Sequence, residues 1–277
     1  MPSNREAYFY ALKLEVPKTI IDFALREVNG FNHLELTKHF DDEIRDYQLF
    51  TSAINRYLNG EMIEYVFEKS YFLSTPFTVN KDVLIPRQET EDLVLKTVDY
   101  IKKIFGSTAI TVADVCTGSG CIGISIAKRL PKNKYFLTDI SKEALRVAEN
   151  NAKQIIKDVD FKIIQGDMLE PLKGKAVDVI VCNPPYISDL KAIDKRTWEQ
   201  EPHLALFADP STFFYEKILS NYSDITKNKY LLAFEIGEDM ESSLKVLVNQ
   251  YCPKSRYSFE KDIYGKTRFL FIQNNDI

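Results

Sequence analysis

Along residues 1–60 the apolar positions recur every three or four residues. Ile20, Ile21, Ala24, Leu25 and Val28 make one stripe, opened by Pro17 at a first helical position and closed by Gly30. Tyr47, Phe50, Ile54, Tyr57 and Leu58 make another, stopped by Asn59-Gly60. A 3.6-residue period puts such positions on one face, so residues 1–70 read as a small helical domain. The texture changes over residues 71–88, where the β-prone runs Phe77-Thr78-Val79 and Val83-Leu84-Ile85 flank Asn80-Lys81-Asp82. That pattern predicts a β-hairpin linking two domains. Thr90 is placed to cap the next helix, with Glu91 and Asp92 in its first turn and a stripe of Leu93, Val94, Val98, Ile101 and Ile104. From residue 110 apolar strand runs alternate with amphipathic stretches: 110–115, 135–137, 161–164, 177–182 and 230–236 as strands, and 122–130, 144–156, 214–219 and 241–248 as helices. Repeated β-α units imply a mostly parallel sheet covered on both faces. Two late strands, 257–259 and 269–272, have no helix between them and are expected to pair antiparallel. Residues 89–277 therefore read as one α/β domain.

Composition narrows the class. The 277 residues carry 36 basic and 40 acidic side chains, a net charge of −4. Residues 1–75 hold 8 basic and 12 acidic residues; the remainder holds 28 of each. Neither half is the strongly basic surface that stable nucleic-acid binding requires. Cys116, Cys121, Cys182 and Cys252 form neither a CxxC pair nor a zinc spacing, and His33, His39 and His203 are scattered, so no metal is expected. The cysteines read as reduced thiols. No apolar run reaches the ~18 residues of a membrane helix, and the first fifteen residues carry charges where a signal peptide has its apolar core. A cytoplasmic protein is expected. The acidic run Asp41-Asp42-Glu43 reads as a solvated face.

Candidate chemistry begins where the first strand of the sheet meets its helix, in DVCTGSGCIG, residues 114–123. Glycines let the backbone approach a ligand, and a helix N-terminus offers free N–H groups. Gly118, Gly120 and Gly123 match the dinucleotide fingerprint GxGxxG, and Asp139 lies where a ribose-binding acid is expected. The same stretch fits Asp/Glu-x-Gly-x-Gly-x-Gly with Asp114, Gly118 and Gly120 in register and Cys116 in place of the first glycine. That second pattern belongs to loops that bind S-adenosylmethionine. The loop alone leaves both cofactors open.

The tetrapeptide Asn183-Pro184-Pro185-Tyr186 decides between them. It directly follows the strand VDVIVC, at the edge of the sheet where open α/β folds bind ligands. Neither proline has an N–H, so the Pro184 carbonyl and the Asn183 carboxamide oxygen are left as two acceptors. Two acceptors can hold both hydrogens of a planar –NH2 group, and Tyr186 can stack on its plane. An amide or exocyclic nitrogen is a poor nucleophile because its lone pair is delocalised. Holding both N–H groups favours the pyramidal, nucleophilic form, which is transition-state stabilisation combined with positioning.

With these residues in hand the chain resembles the peptide-chain release factor N5-glutamine methyltransferases. The resemblance runs in order through NGEMIEYVF, VLIPRQETEDLV, DVCTGSGCIGISIA, TDISKEALRVAENNA, QGDMLEPL, VCNPPYI, EPHLALF, FEIG and KDIYGKTRF. The PRxETE segment is the most discriminating of these, because general NPPY enzymes lack it. The resemblance implies an α/β fold: a Rossmann-like class I methyltransferase sheet, parallel with an antiparallel C-terminal pair, plus the N-terminal helical domain and hairpin linker. It implies S-adenosylmethionine as cofactor and the glutamine of the release-factor GGQ loop as substrate, with the helical domain recognising the protein. By position, Cys116, Thr117, Gly118, Ser119 and Gly120 would line the methionine end of the cofactor and Asp139 would hold its ribose. Asp167 would face the adenine amino group, with Met168 packed beside the adenine. Asn183, Pro184, Pro185 and Tyr186 would hold the substrate glutamine, Asn183 also bordering the cofactor. Arg87, Glu89 and Glu91 would lie beside the pocket without an assigned role, and Glu201-Pro202 and Glu235 would shape loops near it.

Two departures stand out. Cys116 replaces a glycine, and activity is expected to survive there if that residue has a negative φ. The stretch ADPSTFFY lacks the glycine-rich run usual after the Ala-Leu pair. Other readings remain: a methyltransferase for a ribosomal-protein glutamine or for adenine or guanine amino groups in DNA or RNA, an NAD oxidoreductase, or a non-catalytic S-adenosylmethionine sensor. The charge distribution and the PRxETE segment favour the release-factor reading, acting as a monomer on a protein.

Overall fold

The computed structural model describes residues 1–274. They divide into two compact units: residues 1–69 with 195–200, and residues 70–194 with 201–274.

The first unit is helical. It comprises α1 (Asn4–Lys13), α2 (Lys18–Asn29), α3 (His33–Lys38), α4 (Tyr47–Leu58) and the single turn α5 (Ile63–Val66). Ser3 and Asn32 close capping boxes on α1 and α3, and Asp46 caps α4. Pro17 stands at the N-cap of α2, one residue before the helix, and Gly30 ends that helix in the left-handed conformation. Ile21, Ala24, Leu25 and Val28 meet Phe50 and Ile54 in one core. The acidic run is exposed, with Asp41 paired to Arg5 at 2.5 Å.

The second unit opens with the strands β1 (Lys69–Phe72) and β2 (Thr75–Thr78), which form a two-stranded sheet. The expected hairpin is therefore shifted. Its turn is Leu73-Ser74, both at positive φ as a type I′ turn demands, and Val83–Ile85 form no strand. The Asn80 signal is a real turn, with the Asn80 side chain accepting from the Asp82 N–H at 3.0 Å. The chain beyond it forms no strand and does not turn back to pair. α6 (Gln88–Phe105) follows, with Arg87 at its N-cap. Thr90 is inside the first turn and does not cap it.

The α/β sheet follows: β3 (Thr111–Val115), α7 (Cys121–Arg129), β4 (Lys134–Asp139), α8 (Lys142–Ile155), β5 (Asp160–Gln165), β6 (Val177–Cys182), then α9 (Lys195–Gln200), which belongs to the first unit, and α10 (Phe213–Leu219), β7 (Thr226–Glu235), α11 (Glu241–Tyr251), β8 (Ser255–Lys261) and β9 (Thr267–Asn274). Among the described residues seven strands pair in the order β5-β4-β3-β6-β7-β9-β8. β9 is antiparallel to both β7 and β8, and the other five strands are parallel. α9 packs with the helical unit, where the Arg196 guanidinium lies over the Tyr57 ring at 4.0 Å.

Alternation along the strands builds two cores. Val112, Val179, Val181 and Leu231 face one layer with Leu93 and Ile124, while Ala113, Ile180, Leu232 and Phe234 face the other with Tyr215 and Leu244. A side-chain period of two buries both faces of each central strand, which is why these runs are apolar throughout. Strand direction reverses its progress across the sheet at β3, whose neighbours are β4 on one side and β6 on the other. The register sets Val115 beside both Thr138 and Cys182. The residues that follow β3, β4, β5 and β6 therefore emerge side by side at the switch point, where such sheets bind ligands.

Candidate active site

A cavity of about 380 Å³ opens at this edge. Sites for small organic ligands span ~300–1,000 Å³. Cys116 to Ser119 form one wall, Asp139 to Ser141 the next, Gly166 to Met168 a third, and Asn183 and Pro185 a fourth. Val83, Leu84, Pro86, Arg87 and Thr90 border it, as do Leu204, Phe213, Phe214 and Lys217.

The loop after β3 is organised by Asp114. Its Oδ2 accepts the Thr117 hydroxyl at 2.5 Å and the Gly123 N–H at 2.8 Å. Its Oδ1 is buried without a hydrogen-bond partner. Burial pushes this carboxyl up to about 7 despite those two donors. An orphaned acceptor beside a glycine loop is suited to a cationic group supplied by a ligand. Gly123 is where helix and strand approach most closely: a Cβ there would lie 2.3 Å from Leu137 Cδ2 and 2.9 Å from Asp114 Cβ. Its place in the GxGxxG match is thus explained by packing. Gly118 and Gly120 both have positive φ, and Gly120 caps α7. Cys116 has φ +57°. The condition of a negative φ is not met: the backbone has a positive φ there, and the side chain is carried at a position that favours glycine. The Cys116 thiol lies 3.7 Å from the Met168 sulfur.

Asp139 ends β4 with each oxygen taking one backbone N–H, Oδ2 from Gly118 and Oδ1 from Ser141, both at 2.9 Å. Burial raises its carboxyl, and these N–H groups pull it back down. A carboxylate accepts more than two hydrogen bonds, so acceptor sites remain for a pair of vicinal hydroxyls. Asp167 is ion-paired with Lys217 of α10. Nothing in the local sequence pattern marks Lys217 as part of this site. Asn151 is another residue that sequence reasoning missed. It is wholly buried on α8 and bonds the Thr78 N–H and carbonyl and the Ser119 carbonyl, at 2.8, 2.9 and 2.9 Å, tying β2 to the glycine loop.

Of the tetrapeptide, Asn183 and Pro185 reach the cavity wall; Pro184 and Tyr186 stand next to them. The Pro184 carbonyl accepts no hydrogen bond from any described residue. Burial raises the Tyr186 phenol, while the Arg268 guanidinium beside it acts in the opposite sense. Glu201 is buried and accepts the Ile85 N–H at 3.1 Å and the Arg87 guanidinium at 2.5 Å, which fixes the segment that borders the cavity. Glu91 accepts the Leu73 N–H at 2.7 Å and so holds the hairpin turn.

Comparison with known proteins places this site in a family. Residues 93–200 match the Methyltransferase small domain family. The release factor glutamine methyltransferase of Bacillus cereus is 33% identical over 259 residues, 91% of each chain. That of Flavobacterium psychrophilum is 38% identical over 215 residues, 76% of this chain and 74% of its own. The chain belongs to the release factor glutamine methyltransferase family. Two solved structures share the fold alone with this member of the family. One is the hMettl16 catalytic domain in complex with MAT2A 3'UTR hairpin 1, with TM-score 0.56 and 17% identity, covering 72% of this chain and 75% of that one. The other is the ribosomal protein L11 methylase of Lactobacillus delbrueckii subsp. bulgaricus, with TM-score 0.51 and 18% identity, covering 68% and 80%. Family membership makes the chain a methyltransferase and sets aside the oxidoreductase reading of the glycine loop.

Proposed function

We propose that this chain methylates the side-chain amide nitrogen of the glutamine in the GGQ loop of peptide-chain release factors, using S-adenosylmethionine. The observation that carries the reading is the placement of Asn183 and Pro185 on the wall of the same cavity as the glycine loop and Asp139, in a chain of this family. When bound, the cofactor supplies a methyl group on a positively charged sulfur. The residues present suit it. The orphaned Asp114 Oδ1 offers negative charge near the loop, Asp139 keeps acceptor sites for the ribose, and Met168 and Ile140 give an apolar wall beside Asp167 for the adenine.

The Asn183 carboxamide oxygen and the free Pro184 carbonyl accept the two N–H bonds of the glutamine amide. Those two bonds set its plane and favour the pyramidal nitrogen that can bond carbon. Tyr186 packs on the amide, and the surplus proton leaves to solvent. The helical unit supplies surface for recognising the release factor, and the enzyme acts in the cytoplasm as a monomer on protein. Among the described residues no helix is long and apolar enough to cross a membrane.

The test is transfer of label from S-adenosylmethionine to unmethylated release factors, with matched DNA and RNA alongside and Asn183→Ala as control. Label on the GGQ glutamine that disappears in the variant supports the reading. Label on nucleic acid alone refutes it.

A further inference from the structure

The buried ground behind Asn183 contains two side chains that the proposed chemistry does not use. Thr90, on the first turn of α6, is 2% exposed, and Glu235, the last residue of β7, is 3% exposed. The Thr90 hydroxyl donates to Glu235 Oε2 at 2.6 Å. Asn183 Nδ2 donates to Thr90 Oγ1 at 3.4 Å, and the Glu235 carboxylate lies near the same Asn183 side chain.

Proton direction gives this cluster its meaning. A threonine hydroxyl has one proton, and here the short bond commits it to Glu235. Toward Asn183 the Thr90 oxygen can then only accept, and above about pH 7, the value to which burial raises the Glu235 carboxyl, that group is a carboxylate with no proton to give. Both groups against the inner edge of the Asn183 amide are therefore acceptors. The amide must present its –NH2 to them, which leaves its oxygen on the opposite edge, and Asn183 lines the cavity. Rotating the amide by half a turn would set oxygen against oxygen in a buried place, at the cost of unmet acceptors.

We propose that Thr90 and Glu235 are positioning residues that set the sense of the Asn183 carboxamide, so that its oxygen faces the substrate –NH2 group. The proposal rests on Asn183 as a holder of the substrate amide. It goes beyond that role by naming what prevents the amide from turning its own –NH2 toward the substrate, where donor would meet donor. Glu235 is thereby more than a loop-shaping position, and Thr90 more than a helix start.

The experiment compares the wild-type enzyme with Thr90→Val, Thr90→Ser and Glu235→Gln in two independent readouts. The first is side-chain amide NMR of the free enzyme, with the Asn183 resonance identified by its loss in Asn183→Ala. Slow exchange of the Asn183 amide protons is expected in wild type and Thr90→Ser, and fast exchange in Thr90→Val. The second is steady-state methylation of a release factor. There kcat is expected to fall about 10- to 100-fold in Thr90→Val and Glu235→Gln, the scale of a misplaced reacting group. KM for S-adenosylmethionine and the thermal midpoint should hold, and Thr90→Ser should regain most of the rate. Unchanged exchange and kcat in Thr90→Val overturn the proposal, as does a Thr90→Ser variant as impaired as Thr90→Val. Protected Asn183 protons in a wild-type enzyme that leaves release factors unmethylated would uphold the orientation and reject the assigned substrate.

Discussion

The Cys116 thiol lies 3.7 Å from the Met168 thioether, and both residues hold a left-handed backbone, at φ +57° and +50°. The two loops that follow β3 and β5 thus meet through sulfur at the cavity wall. A polarisable thiol and thioether can fill the space that a glycine would leave open.

Cys116→Gly is therefore expected to keep methyltransferase activity. It trades the Met168 contact for relief of a conformation that costs an L-residue ~1–2 kcal/mol. Unfolding free energies from urea titration within about 1 kcal/mol of wild type, and activity within a few-fold, are the expected result. Cys116→Val should be clearly worse on both measures, because a β-branched residue resists positive φ.

Gly123→Ala tests the close approach of α7 to β3 and β4. The added methyl would sit 2.3 Å from Leu137 and 2.9 Å from Asp114, both in the packed interior. Overpacking of this kind costs ~1–3 kcal/mol. A lower urea midpoint together with weaker binding of S-adenosylhomocysteine by calorimetry is expected, since the same shift moves the carboxylate that orders the loop. A variant as stable as wild type would show that the contact is not tight.

Asp114 gives the fold a pH dependence of definite sign. Its folded-state value of about 7 lies above its ordinary 3.8. Between those values the folded protein holds a proton that the unfolded chain releases, so this contribution is full below pH ~4 and is lost as pH rises through ~7. Asp114→Asn keeps an oxygen for Thr117 and Gly123 and has no such titration. Its stability relative to wild type should climb from acid to neutral pH and level off above ~7, by on the order of a few kcal/mol. Its affinity for the cofactor should fall. Parallel stability curves for the two proteins would exclude the assignment.

Asn151→Ala removes three hydrogen bonds at one stroke. It leaves the Thr78 N–H and the Thr78 and Ser119 carbonyls without this partner. At ~1–3 kcal/mol for each buried polar group left unmet, the loss should be about 3 kcal/mol or more. Amide hydrogen exchange should quicken in β2 and in the glycine loop, and cofactor affinity should drop. Exchange that quickens uniformly across the sheet would point to global destabilisation instead.

The order and type of the sheet elements were legible because each rests on short-range period. The run 177–182 ends at the residues read from its pattern. The stripe of α2 buries Ile21, Ala24, Leu25 and Val28, whereas in the α4 stripe only Phe50 and Ile54 are buried, Tyr47 and Tyr57 are half-buried and Leu58 is exposed. The hairpin was displaced because Leu73-Ser74 carries no glycine or asparagine, while Asn80 carries a turn signal without a returning strand. Thr90 resembles a cap by composition, but the hydroxyl is drawn to Glu235 across the fold.

By itself the sequence determined the alternation of strand and helix, the glycine loop after β3 and the Asn-Pro-Pro-Tyr run after β6, since each depends on neighbours within a few residues. Which residues meet depended on the strand order β5-β4-β3-β6-β7, and no local pattern carries that order. It sets Lys217 against Asp167, fastens Asn151 to Thr78 from 73 positions away, and brings Thr90 and Glu235, 145 positions apart, behind Asn183. It also left Cys116 in a left-handed turn, where contacts with the rest of the fold overrule what a side chain prefers.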